Sequence, residues 1–173
     1  LKGVQKVKVL VTSDSHGKAS LLSKIVEQEQ ADYVIHCGDF CTEKKQLPSV
    51  AMTVVRGNCD FEDVADEEFV SLAGYRFFVT HGHRYQVKNS LFSLSLLAQE
   101  KEADIVCFGH SHFPLCEQEE KKLFLNPGSI QSPRGYTVPT YAVVHLEKDR
   151  QVEVTYFQPN GNRVPHLGGS FFL

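Results

Sequence analysis

The stretch ADIVCFGHSHFP, Ala103 to Pro114, reads as a buried strand of Ile, Val, Cys and Phe that breaks at Gly109 into His110 and His112. A lone histidine behind an apolar run is ordinarily a packed or surface residue, so this pair gains weight only from company elsewhere in the chain. Four other segments share its form, a hydrophobic strand followed at once by a polar loop containing glycine: KVLVTSDSHG, DYVIHCGDF, MTVVRGNCD and RFFVTHGH. Their candidate ligands are Asp14 and His16, then Asp39, Asn58 and His81. Imidazole nitrogens mixed with carboxylate and amide oxygens suit first-row divalent metals such as Mn, Fe, Zn or Ni, whereas an all-oxygen set favours Mg or Ca. The set exceeds what one four-coordinate structural zinc takes, and it needs no thiolate. Two metals are expected, bridged by a carboxylate at roughly 3.5–4 Å, an arrangement that holds both attacking and leaving oxygens in phosphoryl transfer.

Such loops need strands that deliver them to one place. Apolar runs bounded by turn residues predict strands at Val7–Thr12, Tyr33–His36, Met52–Val55, Glu68–Leu72, Arg76–Thr80 and Ile105–Phe108. Four more are expected later, at Leu115–Gln118, Lys122–Leu125, Tyr141–Leu146 and Val152–Tyr156. Helical spacing of Leu22, Ile25 and Val26 predicts a helix over Ala19–Glu29, and Leu91, Leu94, Leu97 and Ala98 predict another over Ser90–Lys101. Strands alternating with helices early and following one another late indicate an α/β architecture with mixed sheets. Ligand sites in α/β sheets gather beyond the carboxyl ends of strands, so the five loops are expected to converge. Extended backbone would turn residues two apart to the same side, pairing Asp14 with His16 and His110 with His112. Gly38, Gly57, Gly82 and Gly109 adjoin these positions, where a missing Cβ permits close packing.

Composition narrows the class. With 173 residues, no linker-like tract and no repeat, one domain spanning 1–173 is expected. Apolar runs fall far short of the roughly 18 residues that cross a bilayer, so no membrane partner is expected. The net charge of −3, with scattered Lys and Arg, argues against a general nucleic-acid grip. The N-terminal segment enters a strand without an apolar signal core, and the odd set Cys37, Cys41, Cys59, Cys107 and Cys116 makes no disulfide framework. A reducing cytoplasm fits.

Taken in order, D-S-H at Asp14–His16, G-D at Gly38–Asp39, G-N-C-D at Gly57–Asp60, H-G-H at His81–His83 and G-H-S-H at Gly109–His112 resemble the calcineurin-like metallophosphoesterase superfamily, specifically its small YfcE-like phosphodiesterases. The resemblance implies a sandwich of two mixed β-sheets flanked by helices with a dinuclear site at one edge. It implies that Asp14, His16 and His112 hold one metal, that Asn58, His81 and His110 hold the other, and that Asp39 bridges. A metal-activated hydroxide would attack phosphorus, with Mn the expected ion and Ni, Fe or Zn the alternatives. The catalytic group would then comprise Asp39, Asn58, Cys59, Asp60 and His81, and the substrate would meet Asn58, His83 and Arg134. Many members carry His where this chain has Cys59, and a neutral thiol protonates a leaving group less well.

The substrate expected is a small phosphodiester or other phosphoester. A phosphomonoesterase or nucleotide hydrolase on the same metals stays open, as does a non-catalytic protein-binding scaffold like the related retromer subunit. Asp60 is open between ordering its loop and serving only as a turn residue. His83 and Arg134 are open between substrate contact and solvent exposure. His36 is expected to pack within its strand, and His145 and His166 to be structural or exposed. The Asn126–Gly135 loop reads as a turn that the resemblance places near the metals. EQEEKK marks an exposed hairpin, and the apolar tail GGSFFL is open between its own core and a second copy in a homo-oligomer.

Overall fold

The computed structural model describes residues 6–173. In chain order it contains β1 (Val7–Thr12), α1 (Ala19–Glu29), β2 (Tyr33–His36), β3 (Met52–Val54), β4 (Glu67–Leu72), β5 (Tyr75–Thr80), α2 (Phe92–Glu100), β6 (Ile105–Cys107), β7 (Leu115–Glu119), β8 (Lys122–Asn126), β9 (Tyr141–Leu146), β10 (Gln151–Phe157) and β11 (Arg163–Phe172). Single 3-10 turns lie at Lys44–Gln46 and His83–Tyr85. One sheet runs β11-β10-β9-β1-β2-β3 and the other β4-β5-β6-β8-β7. Each is mixed: β1, β2 and β3 are parallel in the first, and β5, β6 and β8 in the second.

The near-continuous apolar runs of the central strands reflect cover on both faces. Val9, Val11, Ile35, Phe77, Val79, Ile105, Leu123 and Val144 point between the sheets and form the main core. Alternate residues point outward to a helix. Leu10, Val34 and Val143 meet Leu22, Ile25 and Val26 of α1, while Phe78, Val106 and Phe124 meet Leu94 and Ala98 of α2. The result is the expected sandwich of two mixed sheets with helices outside.

Element bounds differ from the sequence expectation by at most two residues; α2, for example, begins at Phe92 where Ser90 is expected. The larger departure is β11. It pairs antiparallel with β10, but the register jumps from Thr155↔Gly168 to Tyr156↔Val164, leaving Pro165, His166 and Leu167 unpaired. That bulge, with proline and a Gly168–Gly169 pair, erases the two-residue alternation by which a strand is read from sequence. Within the GGSFFL tail, Leu173 is buried in the main core and Phe171 packs against it, while Phe172 is exposed. No α-helix among the described residues is long and apolar enough to cross a membrane.

Candidate metal centre

The parallel strands of both sheets release their loops at one end, and hydrogen bonds stitch those loops together. Asp14 N–H donates to the Gly38 carbonyl at 3.0 Å, His81 Nδ1–H to the Cys37 carbonyl at 2.7 Å, and Gly109 N–H to the His81 carbonyl at 3.1 Å. The second of these crosses from one sheet to the other. Glycines permit this closeness: a Cβ on Gly57 would strike the Asp39 carboxylate, and one on Gly109 would strike Ser13 Oγ and Asp14 Oδ2.

The backbone that aims the side chains is not extended. Asp14, His16, Asp39, His110 and His112 have φ of 52°, 39°, 56°, 66° and 57°, the left-handed region that non-glycine residues rarely enter. Such conformations cost on the order of 1 kcal/mol or more each and persist where surroundings enforce them. The expectation of extended spacing is corrected accordingly: Asp14 and His16 do meet, joined by His112, but through left-handed backbone, while His110 stands apart from His112 against His81, ring centroids 5.1 Å apart.

Two donor sets result. In the first, His112 Nε2 lies 3.1 Å from Asp14 Oδ1 and 3.1 Å from His16 Nε2, and His16 Nε2 lies 3.7 Å from Asp14 Oδ1. In the second, His81 Nε2 lies 3.1 Å from Asn58 Oδ1 and 3.3 Å from Asp39 Oδ2. Asp39 Oδ2 is also 3.8 Å from His16 Nε2, so it stands between the sets. Ligands about 2.1 Å from an ion stand about 3.0 Å apart in an octahedron and about 3.4 Å in a tetrahedron, so these spacings suit divalent cations. The donors are also prepared for one. His81 Nδ1–H and His112 Nδ1–H each donate to a backbone carbonyl, of Cys37 and Ser132, which leaves both Nε2 lone pairs facing inward. Asp14 Oδ1 is buried without a hydrogen-bond partner. His110 belongs to neither set in this conformation.

Electrostatics follow the same design. Burial pushes the Asp14 carboxyl up, but His112, His81 and the Ser13 hydroxyl reverse this and hold it below its ordinary value. Burial likewise opposes ionisation of Asp39, and His81 together with the Cys59 N–H overcomes it, keeping the carboxylate charged. Burial alone would lower His81, but Asp39 and Asp14 raise it, so in metal-free protein a proton competes for this site. Burial, with His81 nearby, lowers His110 to about 4.

Asp60 serves the loops. Its carboxylate accepts N–H bonds from Asp39 and Gly57 at 2.7 Å each and from Cys41 at 2.8 Å, clamping the Gly38 loop to the Gly57 loop. Cys59 is exposed; its N–H donates to Asp39 Oδ1 at 2.8 Å, and burial with Asp39 raises its thiol pKa. His83 lies near the rings of His81 and His110, with a buried Nδ1 that lacks a partner. Arg134 meets His112 through its backbone N–H, and its residue is exposed. His166 is exposed on β11, remote from the donor sets in the sheet order.

Sequence reasoning missed most of the supports. Asn126, fully buried, donates to the Gly109 carbonyl and to Ser111 Oγ; Ser129 Oγ donates to the Asp14 carbonyl at 2.8 Å. The LNPGS segment was the available signal, and it braces two of the three histidine-bearing loops, those of His16 and of His110 and His112. His36 is also fully buried, accepting the Gly38 N–H at Nδ1 and placing Nε2 2.9 Å from Ser15 Oγ. It holds the first two loops as a neutral ring with its proton on Nε2.

Burial pulls the His36 pKa from 6.5 to about 4, and the Asp14 carboxylate offsets only part of this. Its neutral form is favoured by folding, so its contribution is present in full above the unfolded value and is lost as pH falls from 6.5 through 4. The window corresponds to about 3 kcal/mol. In metal-free protein, His36→Asn is expected to flatten the acid limb of a stability-against-pH curve; parallel limbs for variant and parent would refute this.

Comparison with known proteins decides the family. Residues 7–149 match the model of the calcineurin-like phosphoesterase superfamily domain. The chain belongs to this superfamily. Over 162 residues it is 39% identical to the probable metallophosphoesterase YsnB of Bacillus subtilis, covering 92% of this chain and 95% of that protein. Phosphodiesterase YfcE of Escherichia coli is 28% identical over 167 residues, covering 80% and 87%. Among solved structures, a predicted phosphoesterase of Streptococcus pneumoniae superposes with TM-score 0.88 at 32% identity, covering 98% and 99%. Calcineurin-like phosphoesterases of this metallophosphoesterase group imply divalent metals, and the donor sets above fit them.

Proposed function

We propose that this metallophosphoesterase is a hydrolase of small phosphodiesters that works with two divalent ions. The observation that carries the reading is Asp39 Oδ2, which lies 3.8 Å from His16 Nε2 of one donor set and 3.3 Å from His81 Nε2 of the other. Asp14, His16 and His112 hold one ion and Asn58 and His81 the other, with Asp39 shared. His110 completes the second set by a side-chain rotation from its place beside His81. When bound, the pair of ions lowers the pKa of an attacking water and neutralises charge on the phosphoryl oxygens. Mn is the ion we assign, and the mixed nitrogen and oxygen donors accept Ni, Fe or Zn as well.

The chain's own residues then orient the ester. Asn58 and His83, the latter beside His81 and His110, face the phosphoryl group, and the exposed Arg134 supplies a forked cation. Ser111 and Phe113, each next to a site histidine, line a cavity of about 310 Å³ with Lys88, which receives one ester group. A larger cavity of about 740 Å³ opens near the edge strands β3 and β4, but none of the donor residues lines it. The name of YfcE favours a diester over a monoester. Free, unpaired cysteines accord with action in the cytoplasm.

The deciding experiment compares bis-p-nitrophenyl phosphate with p-nitrophenyl phosphate, using metal-stripped protein before and after Mn addition. Diester turnover that appears only with Mn supports the reading; dominant monoester turnover replaces it with a phosphomonoesterase. The Cys59 thiol, protonated at neutral pH, is a weak acid for the departing alkoxide. Cys59→His is therefore expected to raise turnover of esters with poor leaving groups by about 10²-fold relative to activated ones, the lower end of the range for general acid catalysis. An unchanged ratio would show that the leaving group needs no acid here.

A further inference from the structure

The second nitrogen of His16 faces away from the donor sets toward sulfur. Its Nδ1 is 3.5 Å from Cys41 Sγ, and ligand atoms of His16, Cys41 and Cys59 all lie within 4.8 Å of one another. A zinc-sized ion about 2.3 Å from sulfur and about 2.05 Å from nitrogen sets these two atoms about 3.6 Å apart in a tetrahedron and two sulfurs about 3.8 Å apart. The His16–Cys41 spacing is already close to its value, and Cys59 lies within 4.8 Å of both. Both cysteine-bearing loops are fixed from behind, since Asp60 accepts the N–H groups of Cys41 and Gly57 while Asp39 accepts that of Cys59. Cys59 is exposed and Cys41 half-buried, so the pair is open to an ion from solvent.

We propose that Cys41, Cys59 and His16 Nδ1 form a further site for a soft divalent cation, Zn²⁺ or Cd²⁺, at the rim of the centre. Thiolate donors select such ions over Mn²⁺, which prefers harder ligands. On binding, both thiols and the Nδ1–H of His16 give their protons to solvent, two metal–sulfur bonds and one metal–nitrogen bond form, His16 becomes an imidazolate shared with the centre, and water takes the open position. Because His16 offers Nε2 to the centre and Nδ1 to this site, occupancy links the two.

The test is titration of the Mn-loaded protein with Cd²⁺, read by the ultraviolet thiolate-to-cadmium charge-transfer band, which nitrogen and oxygen donors do not produce. One Cd²⁺ per chain is expected to saturate the band. Cys41→Ser and Cys59→Ser should each weaken Cd²⁺ binding by more than about tenfold, since losing even an outer partner of a metal ligand costs that much. Cys116→Ser, on β7, should leave the band intact. Circular dichroism of each variant establishes that it is folded, and Cys41→Ala replaces Cys41→Ser if that variant is not. No band in the parent, or a band that survives loss of Cys41, overturns the site. The readout is independent of phosphoesterase activity, so it stands or falls apart from the function proposed above.

Discussion

Asp39→Ala is expected to lower Mn-dependent hydrolysis of an activated diester by about 10³-fold or more. The carboxylate touches both donor sets, and metal stabilisation of phosphoryl transfer amounts to several kcal/mol, each 1.36 kcal/mol being tenfold in rate. The loss should extend to binding: titration of the variant with Mn should show two ions weakened together, because Asp39 Oδ2 lies between the two donor sets. His166→Ala, on the exposed edge strand, should keep parental activity. Equal rates for the two variants with metal supplied would remove Asp39 from the centre, and loss of a single ion would reduce it to a ligand of one set.

Asp60→Ala is expected to lose about 3 kcal/mol of stability and to weaken metal binding by about 10–100-fold, although Asp60 belongs to neither donor set. Three backbone N–H groups lose a charged acceptor, and hydrogen bonds to charged groups contribute about 1.5–3 kcal/mol each; half-exposure lets water recover part of this. For a chain of this length the melting temperature should drop by about 6–12 °C. The measurements are thermal melts of the metal-free protein and calorimetric titration with Mn. Asp60→Asn keeps one acceptor oxygen but turns an NH₂ group toward the remaining donors, so it should fall between. A variant that melts like the parent yet loses turnover would instead make Asp60 a catalytic residue, the role considered for it from sequence.

The residue types at the centre were legible in the sequence because metal chemistry depends on donor identity, and each donor follows a strand whose apolar run is unmistakable. Asp14, His81 and His112 stand out on those grounds, as do the central strands, which read as short near-continuous apolar runs, and both helices, whose buried residues recur at helical spacing. How those donors meet was settled by tertiary structure alone. Asp14, His16, Asp39 and His112 converge through left-handed backbone that none of these residue types prefers, held by hydrogen bonds from loops 20 or more residues away, such as Cys59 to Asp39. The Asp60 clamp, the bracing by Asn126 and Ser129, and the neutral tautomer of His36 are likewise products of distant neighbours, which no local pattern encodes. β11 was hidden because Pro165 and two glycines break its alternation, yet pairing with β10 and burial of Leu173 compensate. Sequence specified which atoms can bind a metal; packing of the two sheets brought them to the same point, because only long-range contacts can stabilise the strained loops that carry them.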